Sequence, residues 1–101
     1  MLITYKKAWF FLKTIVSELE IKNELGLHAR PAALFVQVAS SFKSEIIVEK
    51  GGDVVNGKSL MGLLMLAAGY GSTIKIRIKG DDAEDMLKAL LEIIERKFDE
   101  A

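Results

Sequence analysis

The stretch Thr73-Ile74-Lys75-Ile76-Arg77-Ile78-Lys79-Gly80-Asp81-Asp82-Ala83-Glu84-Asp85-Met86-Leu87 changes its apolar period at a single glycine. From Thr73 to Lys79, isoleucine occupies every second position and a cation follows each one, the pattern of a strand with one buried and one wet face. Beyond Gly80, Asp81 stands as a helix cap with Glu84 three residues on, as in a capping box. Leu87, Leu90, Leu91, Ile94 and Phe98 then form a helical stripe. A strand that is wet on one face belongs to an antiparallel sheet with helices on its other side.

Outward from this stretch the same two periods alternate. Ile15, Leu19 and Ile21 alternate with Glu18, Glu20 and Lys22, so Thr14 to Lys22 reads as a half-buried strand. A loop from Asn23 to Leu27, containing Gly26, leads into His28-Ala29-Arg30-Pro31. Ala32, Phe35, Val36 and Ala39 then recur at helical spacing to about Phe42, which predicts a helix beginning at His28. Ser44 to Lys50 and Asp53 to Asn56 read as a hairpin turning at Gly51-Gly52. Asn56-Gly57-Lys58-Ser59 turns the chain again. Leu60, Leu63, Leu64 and Ala67 predict a short helix behind an N-capping serine, ended by Gly69 and Gly71. The resulting order, βαββαβα over residues 14–101, predicts one α+β domain. It is an open-faced two-layer sandwich, a four-stranded antiparallel sheet covered on one face by three helices.

Composition narrows the function. With 101 residues, 50% hydrophobic, and one proline, the chain has the profile of a single globular domain. The absence of cysteine removes disulfides, thiolate chemistry and cysteine-based zinc sites, and fits a reducing cytoplasm. A single histidine leaves no histidine-rich metal site, and no cofactor is expected. Fourteen basic and fourteen acidic residues cancel, so the global field that drives non-specific nucleic-acid binding is missing and protein partners are expected instead.

Residues 1–13 precede the first strand. Leu2, Tyr5, Trp9 and Leu12 fall on one helical face between Lys6 and Lys13, which predicts a short basic amphipathic helix. There is no apolar run of the roughly 20 residues that span a bilayer. Four of the eight aromatic residues lie in this segment, an apolar load that favours packing on the domain or self-association over membrane contact.

His28 is the residue with the most chemistry to offer. It follows a glycine loop at a helix start, where unpaired N–H groups and the positive end of the helix dipole favour an anion. Imidazole titrates near neutrality and is a competent nucleophile, so a phosphoryl group could be carried on nitrogen. Arg30 brings a planar fork of donors matched to phosphate, and Pro31 loses no hydrogen bond in a first turn. Taken alone, a histidine at such a place is more often a cap or surface residue. Ser59 has the same double reading, as a helix cap or as a place where an added phosphate would meet a helix N-terminus. Between residues 60 and 66 only Gly62 is not apolar, more than one helical face can bury, so some of these side chains point outward to bind a partner.

Gly26-Leu27-His28-Ala29-Arg30-Pro31-Ala32 resembles the active-site signature of HPr proteins, the histidine phosphocarriers of the bacterial phosphotransferase system. Asn56-Gly57-Lys58-Ser59-Leu60-Met61-Gly62 resembles their regulatory signature, in the matching register. The resemblance runs from about Thr14 to the C-terminus; residues 1–13 depart from it. It implies a sheet ordered first-fourth-second-third strand. It also implies phosphate accepted on Nδ1 of His28 from enzyme I, steadied by Arg30, and passed to a sugar-specific acceptor protein. A docking surface of Ala29, Ala33, Leu60, Met61 and Leu64 is implied, and phosphorylation of Ser59 by an HPr kinase with a catabolite-control transcription regulator as a further partner. Such a carrier is not an enzyme by itself and acts as a monomer. Two other functions compete: a regulatory or nitrogen-branch relative acting through kinase and transcription-factor partners, and a metabolite-binding domain without covalent chemistry. The presence of both His28 and Arg30 argues against the first, and the paired signatures argue against the second.

Overall fold

The computed structural model describes residues 8–11 and 14–101. Five strands, β1 (Ala8–Phe11), β2 (Thr14–Glu20), β3 (Glu45–Lys50), β4 (Asp53–Asn56) and β5 (Thr73–Lys79), form one antiparallel sheet ordered β1-β2-β5-β3-β4. Three helices, α1 (Ala29–Ser40), α2 (Leu60–Leu66) and α3 (Ala83–Glu95), pack on it, and a short 3₁₀ turn, Lys97–Asp99, follows α3. The four expected strands therefore pair in the expected first-fourth-second-third order.

The alternating isoleucines explain why β5 is central. Its Ile74, Ile76 and Ile78 are wholly buried. The register sets Ile78 between Ile15 and Ile46, and Ile76 between Ser17 and Val48, so buried rows, apolar but for Ser17, cross the sheet beneath the helices. On the opposite face Lys75 lies between Glu18 and Glu49, an arrangement of opposite charges that supports the same register. From above, Phe35 of α1 and Met86, Leu87 and Leu90 of α3 close the core at zero exposure. Gly51 and Gly52, with φ of 57° and 92°, supply the positive dihedrals that a two-residue hairpin loop demands.

Four expectations are corrected. The helix expected over residues 1–13 is absent at Ala8–Phe11, which instead add a fifth strand along the edge of β2. Trp9, Phe10 and Phe11 have the aromatic character that strands favour, and the free backbone of β2 offers hydrogen bonds that an isolated short helix could not match. Residues 1–7, 12 and 13 lie outside the described residues. The first helix starts at Ala29, with His28 in the cap position. The last helix is preceded by Asp82 rather than Asp81. The Asp82 carboxylate accepts from the Lys43 N–H (2.8 Å), the Ser44 N–H (2.9 Å) and the Ser44 hydroxyl, so it ties the start of α3 to the loop entering β3. Finally, α2 stops at Leu66, short of the Ala67 expected within it, and buries Leu63 and Leu66. Ala67 leaves the helix in the left-handed conformation, at φ 50°.

Candidate functional site

The site is built by the loop between β2 and α1. At Gly26 the backbone takes φ 69°, and a Cβ there would lie 2.5 Å from the Ala68 oxygen, so glycine is required twice over. The close approach lets the Leu27 N–H bond to the Ala68 oxygen at 2.8 Å, which fixes this loop against the end of α2. His28 follows in extended conformation, and its carbonyl accepts the first helical bond, from Ala32, at 3.0 Å. Its side chain caps nothing. The cap reading therefore fails for the imidazole, which is left 37% exposed at the helix start.

What holds the ring is a residue the sequence reading did not single out. Glu100 places both carboxylate oxygens at the His28 Nε2, at 3.1 Å and 3.0 Å. The same carboxylate accepts from Asn23 Nδ2 at 2.9 Å and from Arg30 Nη2 at 3.3 Å. Asn23 is fully buried and also donates to the Gly26 oxygen at 2.7 Å, so one amide joins the loop to the carboxylate. Burial is the largest single influence on Glu100 and pushes its pKa up. The hydrogen bonds from Asn23 and His28, the charge of His28 and the bond from Arg30 together outweigh it, holding the carboxyl below its ordinary range. An ionised carboxylate can only accept, so the Nε2 carries hydrogen and, in the neutral ring, the lone pair resides on Nδ1. Among the described residues Nδ1 has no partner.

Arg30 is 77% exposed and, apart from this one contact, its guanidinium projects into solvent. The structure thus brings His28 and Arg30 together around Glu100. Ser59 lies elsewhere, at the start of α2, where its hydroxyl accepts from the Gly62 N–H at 3.0 Å. Its capping role is observed directly. The surplus apolar side chains of α2 do point outward: Leu60, Met61, Leu64 and Met65 are 41%, 68%, 36% and 74% exposed. Because the Gly26-Leu27 loop rests on Ala68, this apolar face adjoins the His28 loop, and exposed Ala29 and Ala33 extend the surface along α1.

Among the described residues no group of three His, Cys, Asp or Glu side chains could hold a metal ion, and no helix is long and apolar enough to cross a membrane. Glu100 and Asn23 left little local signal. His28 and Glu100 are 72 positions apart, and only the apolar Phe98, suited to a buried place, hinted that the C-terminal segment stays packed on the domain.

A family model described as the PTS HPr component phosphorylation site matches residues 15–96. The chain is 49% identical over 83 residues to the HPr-like protein Crh of Halalkalibacterium halodurans, covering 82% of this chain and 99% of that one. It is also 49% identical over 82 residues to the phosphocarrier protein HPr of Neisseria meningitidis, covering 81% and 92%. The crystal structure of HPr-C-His from Thermoanaerobacter tengcongensis superposes with a TM-score of 0.82 at 52% identity, covering 85% of this chain and 97% of that one. An open-faced α+β sandwich carrying a half-exposed histidine at a helix start, in this company, defines a phosphocarrier that works with the enzymes of the phosphotransferase system. The chain belongs to the HPr family.

Proposed function

We infer that the chain carries its phosphoryl group on Nδ1 of His28, receiving it from phosphorylated enzyme I and passing it to sugar-specific acceptor proteins. The observation that supports this most strongly is the unequal state of the ring. Glu100 occupies Nε2, while Nδ1 is unpartnered on a half-exposed side chain at the N-terminus of α1. A phosphoryl group on that nitrogen would meet first-turn N–H groups and the positive end of the helix. Arg30 is free enough to turn from Glu100 to a phosphate, for which its fork of donors is better matched.

Leu60, Met61 and Leu64 on α2, with Ala29 and Ala33 on α1, form the partner surface. An apolar patch beside a small polar reaction centre suits proteins that must bind, exchange one group and separate. The carrier catalyses nothing alone, needs no cofactor and acts in the cytoplasm, its core a monomer. Ser59 is the regulatory position: an HPr kinase adding phosphate there would place negative charge at the start of α2, inside this surface, and a catabolite-control transcription regulator is the further partner. The presence of His28 and Arg30 favours the carrier over a purely regulatory relative. Incubation with enzyme I and phosphoenolpyruvate should give an acid-labile, base-stable phosphate on His28. No incorporation, or incorporation at another residue, refutes the assignment.

A further inference from the structure

Three consecutive non-glycine residues, Lys97, Phe98 and Asp99, sit at φ 56°, 55° and 58°. Side chains disfavour this left-handed backbone, and a run of three is far from routine. Strain of this kind persists only when the surroundings impose it, and here they do. Phe98 is buried to 4% exposure. Arg96 Nε pairs with Asp99 Oδ1 at 3.1 Å, the Glu100 N–H reaches the Lys97 oxygen at 3.0 Å, and the Glu24 N–H reaches the Ala101 oxygen at 2.7 Å. The product of the turn is a reversal that carries the chain from the end of α3 back to the β2–α1 loop. There the Glu100 side chain is only 9% exposed and meets Asn23, His28 and Arg30.

The geometry points to Glu100 as a positioning residue for phosphoryl transfer, delivered by the left-handed Lys97–Asp99 turn, that fixes hydrogen on Nε2 of His28 and leaves the Nδ1 lone pair as the nucleophile. This rests on the proposed function of His28. In the transfer step the Nδ1 lone pair forms the new N–P bond. The bond from phosphorus to the donor's leaving atom breaks, and its electron pair departs with the donor. The Nε2 hydrogen stays in place, so the ring becomes a phosphoimidazolium whose positive charge develops against the Glu100 carboxylate. In the return direction the same charge makes the ring a good leaving group, so one contact serves both loading and delivery. The carboxylate also repels the incoming phosphoryl group, but that group lies across the ring from it, whereas the imidazolium is in hydrogen-bond contact. The shorter distance of the attraction offsets the larger charge of the phosphoryl group. Arg30 moves the balance further: once it turns to the phosphate, it neutralises charge where the repulsion arises.

The test uses the full chain, phosphorylated enzyme I as donor, and the near-isosteric Glu100→Gln beside Glu100→Ala. Single-turnover uptake should slow about tenfold in both variants, the low end of what loss of a partner that orients a reactive imidazole costs. The half-saturating donor concentration should be unchanged, because Glu100 touches His28 and not the docking face. Nitrogen-15 imidazole spectra of the wild type above neutral pH should show Nε2 carrying the hydrogen, and Glu100→Ala should shift that balance toward Nδ1. Wild-type uptake rates in folded Glu100→Gln, or a wild-type ring with hydrogen on Nδ1, would overturn the proposal while leaving the carrier function standing. Complete failure of the wild type to take phosphate would instead remove the carrier reading, and the imidazole spectra would still decide what Glu100 holds.

Discussion

At the scale of single residues, the proposed site rests on two side chains that lie outside the apolar core. His28 makes no capping bond and is half exposed. His28→Ala is therefore expected to abolish phosphoryl acceptance while leaving circular dichroism and the melting temperature near wild type. Undiminished acceptance would show that another group carries the phosphate. Arg30 is 77% exposed and makes one contact, to the Glu100 carboxylate at 3.3 Å. Arg30→Ala should slow transfer with little loss of stability, and equal losses in both, measured by rapid quench and thermal melting, would count against its role. His28 and Arg30 were legible because their neighbours in sequence, Gly26 and Pro31, announce a loop turning into a helix. Glu100 was not legible, because its position depends on a backbone turn that residue types do not specify. Lys97, Phe98 and Asp99 are ordinary residues that only tertiary contacts force to positive φ.

Among the elements, the strands were the most readable and α2 the least. Thr73 to Lys79 could be placed because its alternation states which face is buried. In α2 nearly every residue is apolar, so the sequence says that a surplus exists but not which side chains form it. The observed inward pair, Leu63 and Leu66, follows from where α2 meets α1 and β4. The Ser59 cap was read correctly, and Ser59→Ala should destabilise the domain by about 1 kcal/mol, as measured by urea unfolding. Ser59→Asp should keep α2 folded, since an anion is tolerated at a helix N-terminus, yet slow uptake from enzyme I by repelling an acidic partner surface. Unchanged kinetics would remove the regulatory argument.

The junction between α3 and the β3 loop gives a pH prediction. Hydrogen bonds from the Ser44 hydroxyl and the Lys43 N–H, with a further one from the Ser44 N–H, hold the Asp82 carboxyl below its ordinary range against the opposing effect of burial. A carboxyl with a depressed folded-state pKa contributes stability above its unfolded value of about 4 and loses it as pH falls through the folded one. Melting temperature should therefore decline below about pH 4, and Asp82→Asn should lower it at pH 7 while flattening the acid decline. An unaltered acid profile in Asp82→Asn would show that this junction carries no pH-dependent stability. Glu100 is lowered in the same sense, so its contribution falls in the same acid direction.

On the scale of the whole molecule, the sheet and the helices divide the work. The antiparallel sheet sets a rigid floor, and the helix layer presents the reactive loop and the apolar face of α2 side by side. The four strands of the core were legible from period and turns, and their order from the family resemblance alone. The fifth strand was not, because a short aromatic segment fits either period and the free edge of β2 decided the outcome. Deleting residues 1–13 should preserve phosphoryl acceptance, since His28, Arg30 and Ser59 all lie outside the segment, and should lower the melting temperature by removing β1 from that edge. Loss of acceptance at unchanged melting temperature and mass in solution would contradict this division.

Phosphoryl transfer through Nδ1 of His28 can be observed directly by loading the full chain with enzyme I and phosphoenolpyruvate and locating the phosphate by phosphorus–nitrogen coupling in the isotope-labelled imidazole. One phosphate per chain is expected, coupled to Nδ1, with hydrogen retained on Nε2, and none in His28→Ala. Phosphate on Nε2, on Ser59 alone, or on no residue would contradict it.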